Sequence, residues 1–195
     1  MSKTLWLYRH GGARNRADRT SSYLTLQQAN KIVAALAKAE AQTMTINRHI
    51  ILHWESMGVP DRRAMAATTL WLKSFREWAG PKTAYVWTRE NGDGKGSHLH
   101  LLAHIPVGKR WHGSRARRWL EKISGNQYKV GAIKTRCIIG SLSPDSPCYL
   151  QNLQKVAAYI LKGVAPHDAS TLGIAHKPGG LVIGKRCGTS RNIGQ

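Results

Sequence analysis

A chain of 195 residues is long enough for one compact domain with its own hydrophobic core and too short for two ordinary domains. Thirty Lys and Arg against ten Asp and Glu give a net charge of +20, so we expect a polyanion, most often a nucleic acid, as the partner. Three widely spaced cysteines indicate neither a zinc ribbon nor a disulfide framework. With no apolar signal or membrane-spanning run, we expect a soluble, cytoplasmic protein with reduced thiols and no membrane partner.

The first half of the chain predicts one strand between two helices. After a basic, glycine-containing arm over 9–22, Thr25 is placed to cap a helix, with Gln28 completing a capping box. β-branched residues over 43–54 predict a strand. Residues 61–79 predict a helix that begins after Pro60 and stops at the Gly-Pro pair that follows.

A hairpin and a short helix come next. The turn sequence NGDGKGS separates two predicted strands over 82–90 and 98–106, and two such strands around a short glycine-containing turn form a hairpin. A short helix is then predicted from Ser114, and Gly125 ends it.

The last predicted elements complete the fold class. Residues 129–139 predict a fourth strand, and a helix follows from about Cys148 to Lys162. From residue 43 the elements run βαββαβ and then one further helix. This order predicts an α+β fold, a ferredoxin-like antiparallel sheet with flanking helices, in which the HLH strand is central.

One domain is predicted to span residues 1–195. Its core covers about 43–163, and residues 1–42 supply the basic arm and a helix. Residues 164–195 form a basic, glycine-containing tail in which the pattern assigns no element. Internal repeats are absent from the sequence.

A divalent metal site is predicted on the hairpin. His98 and His100 lie two apart on a strand, so both side chains point to one face. Glu90 ends the preceding strand, and a hairpin brings it close to His98. Two imidazoles and a carboxylate make a three-ligand site with open positions, and the oxygen ligand favours magnesium or manganese over a structural zinc. The alternative is a pair of surface histidines near a solvated turn glutamate.

A tyrosine and two lysines share one side of the last helix. Tyr159 and Lys162 are three apart, and Lys155 lies one turn before the tyrosine. A phenol needs help to act as a nucleophile at neutral pH, and adjacent ammonium groups favour the phenolate and offset charge on a phosphate. The alternative is that Tyr159 packs in the core and Lys162 matches the helix dipole.

Charged and indole side chains alternate before and within the short helix. Such a mixture suits the backbone phosphates and stacked bases of a single strand. The residues are Lys109, Arg110, Trp111, Arg115, Arg117, Arg118 and Trp119, of which Trp119 is equally suited to packing in the core.

Together these features resemble the HUH endonucleases, in particular the single-tyrosine rolling-circle replication initiators. The HUH motif is seen as His98-Leu99-His100, and the family's single-stranded-DNA virus branch places a metal-binding Glu where Glu90 stands. The family's Tyr-x-x-Lys motif is matched by Tyr159-Ile160-Leu161-Lys162. Thr45-Ile46-Asn47 stands in the place of the first motif, which adds Asn47 to the expected DNA-binding residues. The resemblance spans about residues 43–163.

The resemblance implies a metal-dependent enzyme that nicks and rejoins single-stranded DNA at a specific sequence to initiate rolling-circle replication. Tyr159 would attack the scissile phosphate and stay attached to the 5′ end, and Lys162 would assist by electrostatics. Magnesium or manganese would be held by Glu90, His98 and His100. Because the chain is too short for a helicase domain as well, host helicase and polymerase would act in trans.

Some features depart from that family or leave alternatives open. The GGLVIGK segment mimics a Walker A loop, but Arg186 follows where Ser or Thr must bind magnesium, so we expect no ATPase. A second tyrosine one turn from Tyr159 is missing, which indicates a single-tyrosine enzyme with Tyr149 as backup nucleophile. A single-tyrosine transposase or small relaxase would use the same chemistry. A basic nucleic-acid-binding protein without catalysis is the alternative of another class.

Overall fold

Five antiparallel strands form the main sheet, and helices cover both of its faces. The computed structural model describes residues 18–194. Its strands are β1 (Thr20–Ser21), β2 (Arg48–His53), β3 (Tyr85–Gly92), β4 (Gly96–Ala103), β5 (Ile133–Cys137), β6 (Val182–Ile183) and β7 (Cys187–Thr189). Its helices are α1 (Leu26–Ala41), α2 (Asp61–Ala79), α3 (Gly113–Ser124), α4 (Pro147–Leu161) and α5 (Pro166–Ala169), with a 3₁₀ turn at Glu55–Met57.

The main sheet has the strand order β5-β2-β4-β3-β7, and β1 and β6 form a separate small pair. Every neighbouring pair in the main sheet is antiparallel. The predicted α+β class, with an antiparallel sheet and flanking helices, is therefore confirmed. The strand order is compatible with a ferredoxin-like fold, and β4, which carries the two HLH histidines, is the middle strand.

Local signals explain where the helices begin. At α1 the Thr25 side chain accepts a hydrogen bond from the backbone of Gln28, whose own side chain bonds back, so the capping box is formed. Helix α2 occupies 61–79 as predicted and ends at Gly80. Helix α4 begins after Ser146, whose side chain caps the backbone of Tyr149.

Alternation along β4 divides the molecule into two hydrophobic cores. Leu99 and Leu101 point into the core under α2 and α3, which also holds Trp71 and Phe75. Leu102 points to the opposite face, where α1 and α4 pack. Since successive strand residues alternate, the side chains of 98 and 100 lie on the face that α4 covers.

The tail beyond residue 163 is ordered structure, although its sequence pattern assigned no element. It supplies α5, β6 and β7, and β7 extends the main sheet by pairing with β3. A buried ion pair between β3 and α2 holds this tail through hydrogen bonds to its backbone. The fully buried guanidinium of Arg89 bonds Asp61 and the backbone oxygen of Ile183, and Asp61 accepts the backbone N–H of Ile183 at 2.6 Å.

The N-terminal predictions are met in part. Residues 9–17 of the predicted basic arm lie outside the described residues, while Thr20–Ser21 form β1 and pair with β6. The first predicted strand begins at Arg48 rather than 43, because Thr43 adopts a left-handed conformation with φ of 56° just after α1. Among residues 18–194, no helix combines the length and apolarity needed to cross a membrane.

Removing the Arg89 side chain should lower the free energy of unfolding by about 3–5 kcal/mol, because Asp61 would stay buried without its charge partner. Chemical denaturation of Arg89→Ala, or of Arg89→Lys if the alanine variant does not fold, measures the loss. Lys73→Ala is the control, since the Lys73–Glu77 pair is exposed and long at 3.9 Å. That change should cost less than about 1 kcal/mol. Equal stability of Arg89→Ala and the unmodified protein would contradict the role given to this pair.

Candidate metal centre and tyrosine cleft

Hairpin register places the three predicted metal ligands side by side. Glu90 on β3 lies opposite His98 on β4, and Thr88 lies opposite His100, so both histidines share a face with the carboxylate. All three side chains are buried. One ligand atom from each lies within 4.8 Å of the others, so this group could bind a metal ion.

The hydrogen bonds around His98 leave two acceptors facing each other. His98 Nδ1 lies 2.9 Å from the carbonyl oxygen of Gly96, which can only accept, so Nδ1 carries the proton. In the neutral ring Nε2 is then a lone pair, and it lies 3.2 Å from Glu90 Oε2. Two acceptors at that distance repel each other unless a cation or a proton is shared between them. The donor set therefore fits a metal ion.

His100 supplies a third lone pair through an atom that has no other partner. Its buried Nε2 makes no hydrogen bond and lies 3.7 Å from Glu90 Oε2. Its Nδ1 lies 3.3 Å from Nε2 of His49, a residue that sequence reasoning did not single out. With the His100 proton on Nδ1 and donated to His49, Nε2 is left as a nitrogen that could bind a metal. His49 would then hold the His100 ring in the orientation for that role.

Burial favours the neutral form of His100 and of the two neighbouring histidines His49 and His53. It lowers the pKa of His100 to about 4 against the opposing pull of Glu90, and it lowers the pKa of His49 to about 3 with help from His100 and Arg136. His53 stacks on His98 with ring centroids 5.4 Å apart, and burial lowers its pKa to about 4. Protons therefore do not compete with a metal for the His100 nitrogen near neutral pH.

The two oxygens of Glu90 have different partners. Oε2 faces the histidines, while Oε1 accepts a hydrogen bond from the ammonium of Lys162, which is itself nearly buried. Burial alone would raise the pKa of the Glu90 carboxyl, but His100 and His98, when a proton is on the nitrogen that faces the carboxylate, and the charge of Lys162 hold the pKa well below its usual range. Glu90 is thus a carboxylate at neutral pH.

Tyr159 lies directly over the histidines at the end of α4. Its ring centroid is 5.3 Å from that of His100 in an edge-on arrangement and 5.9 Å from that of His49. The ammonium of Lys162 is 4.4 Å from the Tyr159 ring centroid. The side chain is 45% exposed, so a substrate can reach it. The structure therefore brings together the five predicted residues Glu90, His98, His100, Tyr159 and Lys162.

The expected lowering of the Tyr159 pKa is not found. Burial, and then the charge of Glu90, raise the pKa of the phenol, and Arg136 offsets this only in part. The reason is that the ammonium of Lys162 is paired with Glu90, so the phenol experiences a neutralised pair rather than a lone cation. A cation bound at Glu90 would oppose the part of the shift that comes from the carboxylate.

A cleft of about 430 Å³ opens in front of these side chains. Four cations line it, and three of them, together with His49 and His53, were missed by the sequence analysis. The four are Lys95, Lys134, Arg136 and the predicted Lys155. Alternation of His49, Ile51 and His53 along β2 was the available signal. The ferredoxin-like order predicted that β2 and β4 are neighbours, and using the signal required their register as well.

Most of the predicted DNA-binding residues lie away from this cleft. Trp111 and α3 pack against the core on the opposite face of the sheet, with the Arg115 guanidinium 5.2 Å from the Trp78 ring. Arg110 and Arg118 are exposed beside and on α3. Asn47 exchanges two hydrogen bonds with the backbone of Ile105, so its amide joins two segments of the fold.

Tyr149, the predicted backup nucleophile, is fully buried. Its hydroxyl donates a hydrogen bond to Glu40 at 2.7 Å, and burial and Glu40 raise its pKa. These contacts anchor α4 on α1. Tyr159 is therefore the tyrosine that lines the cleft among the described residues.

The segment that mimics a Walker A loop forms the wall behind Glu90. Gly179 packs against the Glu90 side chain, and its carbonyl accepts the backbone N–H of Asn91 at 2.7 Å. Gly180 has φ of 69°, and a side chain there would collide with the Asn91 backbone. Lys185 is followed by strand β7 rather than by a helix, so no phosphate-binding helix end is formed here.

No protein-family model, curated protein or solved structure matches this chain. The likeness to HUH endonucleases therefore depends on the motifs and on the geometry described above.

Replacing His100 with alanine should weaken Mn²⁺ binding at least tenfold, because one of three protein ligands is removed. Titration followed by electron paramagnetic resonance of free Mn²⁺ measures the affinity. His112→Ala is the matched control, since His112 is exposed and does not line the cleft. If His100→Ala and His112→Ala bind Mn²⁺ equally well, the buried group is not a metal site.

Proposed function

We propose that this protein is a metal-dependent endonuclease of the HUH type, which nicks and rejoins single-stranded DNA through a phosphotyrosine at Tyr159. The observation that carries the proposal is the meeting of a buried Glu90, His98 and His100 group with an accessible tyrosine in one basic cleft. A tyrosine packed in the core would not line such a cleft, and surface histidines would not be buried beside a carboxylate.

In the proposed reaction the Tyr159 hydroxyl is the attacking group. The Tyr159 oxygen attacks the scissile phosphorus, the bond from phosphorus to the 3′ oxygen breaks, and a 5′-phosphotyrosine and a free 3′-OH result. The phenol gives up its proton, and the departing 3′ oxygen gains one. Reversal of these steps rejoins the ends. A magnesium or manganese ion held by Glu90, His98 and His100 would polarise the phosphate.

The cations of the cleft suit the strand that is cut. Lys95, Lys134, Arg136 and Lys155 line the cleft together with histidines and Tyr159, and among the described residues that line it there is no Asp or Glu. Such a rim attracts a polynucleotide backbone and holds its phosphates near the tyrosine. Lys162 is a less direct participant, because its ammonium is bonded to Glu90 and covers the tyrosine ring.

We further propose a ferredoxin-like βαββαβ core with the catalytic tyrosine on the added helix α4, and a role in initiating rolling-circle replication. Host helicase and polymerase would act in trans on the 3′-OH that the nick exposes. A single-tyrosine transposase or small relaxase would use the same site. Relaxases typically place a third histidine in the metal motif, where Glu90 stands here, and this favours the replication initiator.

Tyr159→Phe should abolish covalent attachment to DNA and leave binding largely intact, because the ring and its packing are kept while the attacking oxygen is lost. The protein is incubated with a pool of single-stranded oligonucleotides and Mn²⁺, and a denaturing gel reports the shifted adduct. Tyr23→Phe is the control, since Tyr23 is exposed and outside the cleft. An adduct that persists in Tyr159→Phe would refute the assignment. Tight binding without any adduct in the unmodified protein would favour a non-catalytic nucleic-acid-binding protein.

Chelation by EDTA should stop adduct formation by the unmodified protein, and raising Mn²⁺ should separate a ligand from the nucleophile. Glu90→Ala loses one ligand oxygen that water can replace, so excess Mn²⁺ should restore part of its activity. Tyr159→Phe should not recover at any Mn²⁺ concentration. Adduct formation that is unchanged in EDTA, or a Glu90→Ala variant that needs no more Mn²⁺ than the unmodified protein, would contradict the metal site.

A further inference from the structure

Two grooves lie on opposite faces of the edge strand β5. The catalytic cleft is on one side, and a second groove of about 390 Å³ is on the other, with Cys137 lining both. Within the described residues β5 pairs with β2 alone, so its outer edge is uncovered. Lys134, Thr135 and Arg136 are all exposed. A flexible chain can therefore pass from one groove to the other over this edge.

Alternation along β5 supplies contacts on both sides. Lys134 and Arg136 pair with Ile51 and His49, which line the catalytic cleft, so they face that cleft. Thr135 pairs with Ile50, on the opposite face, and lines the second groove. One short strand thus presents cations to the cleft and a hydroxyl to the groove behind it.

The second groove combines flat rings with cations. It is lined by Trp111, Tyr128, Arg48 and Arg117, and no carboxylate is among its lining residues. The Arg117 guanidinium lies 4.6 Å from the centre of the Tyr128 ring, which extends the flat surface, and Trp111 bonds Thr135 through its indole nitrogen at 3.3 Å. Aromatic rings and guanidinium planes stack on unpaired bases, and arginines hold the phosphates between them.

We propose that the single strand cut in the cleft continues over the outer edge of β5 and stacks a base in the Trp111–Tyr128 groove. This inference rests on the proposed function, because it takes the strand in the cleft as its starting point. Duplex DNA keeps its bases stacked within the helix, so the groove selects unpaired nucleotides. The groove also gives Trp111 and Arg117 a role in binding. These residues lie on the opposite face of the sheet from the predicted metal ligands and do not contact them.

The test measures binding of a 15-nucleotide strand of thymidines to Tyr159→Phe protein, which cannot cleave. A strand of that length is within the range that one site of this kind can cover. Tyr128→Ala and Arg117→Ala should each weaken binding about tenfold, as loss of one stacked base does. Lys134→Ala, on the cleft side of β5, should weaken the same 1:1 complex. Bromouracil in the strand should crosslink to Trp111 or Tyr128 under ultraviolet light, and duplex of equal length should not.

Two variants serve as controls. Tyr128→Phe keeps the ring and should bind within twofold of the parent protein, which separates stacking from a folding defect. Arg62→Ala removes the same charge as Arg117→Ala from an exposed position on α2 and should also stay within twofold. The path is overturned if folded Tyr128→Ala binds as tightly as the parent, or if Arg62→Ala loses as much as Arg117→Ala.

The binding measurements test the path over β5 separately from the nicking activity. If the unmodified protein forms adducts while Tyr128→Ala binds normally, the path over β5 is wrong and the proposed nuclease stands. If no adduct forms while binding falls as expected in Tyr128→Ala and Lys134→Ala, the path stands as a binding track and the nuclease proposal fails.

Discussion

The buried carboxylate of Glu90 is the constraint on which the rest of this structure depends. An unpaired charge in that position would cost several kcal/mol, so the carboxylate needs compensating groups beside it. The end of α4 brings the ammonium of Lys162, and strand β4 brings His98 and His100, whose facing nitrogens would share a metal ion with the carboxylate. The positions of the hairpin and of α4 are thereby linked, and the link places Tyr159 over the histidines.

The C-terminal tail also packs against Glu90. Gly179 packs closely against the Glu90 side chain, and a Cβ there would come within 3.3 Å of it. Arg89, next to Glu90 in sequence, points to the other face and bonds the tail through Asp61 and Ile183. Of these two adjacent residues of β3, Glu90 thus forms part of the site and Arg89 holds the tail segment that packs against it. This explains why a stretch rich in glycine and basic residues forms ordered structure instead of a loose extension.

The sequence predicted the antiparallel sheet with β4 in its middle and the group of Glu90, His98 and His100, but not the register between distant strands. The capping box at Thr25, the bounds of α2 and the facing of Glu90 and His98 across the hairpin follow from sequence periodicity and turn residues. The ferredoxin-like order makes β2 and β4 neighbours, but their register joins segments about fifty residues apart, so His49 could not be placed beside His100 from spacing alone. The position of α3 on the far face follows from the packing of Trp119 against Trp71, and a pattern of charges does not predict that packing.

The two oxygens of Glu90 have different partners, and this explains why Tyr159 and Lys162 are three residues apart. Residues three apart on a helix share a side, so a lysine that reaches Oε1 necessarily carries the tyrosine ring with it, and its ammonium rests on that ring. Oε2 stays directed at the two histidines. The lysine therefore does not have to leave for a metal to be bound. It fixes the distance between the tyrosine and the ligand group, so the helix that carries Tyr159 is aligned by the same carboxylate that would hold the metal.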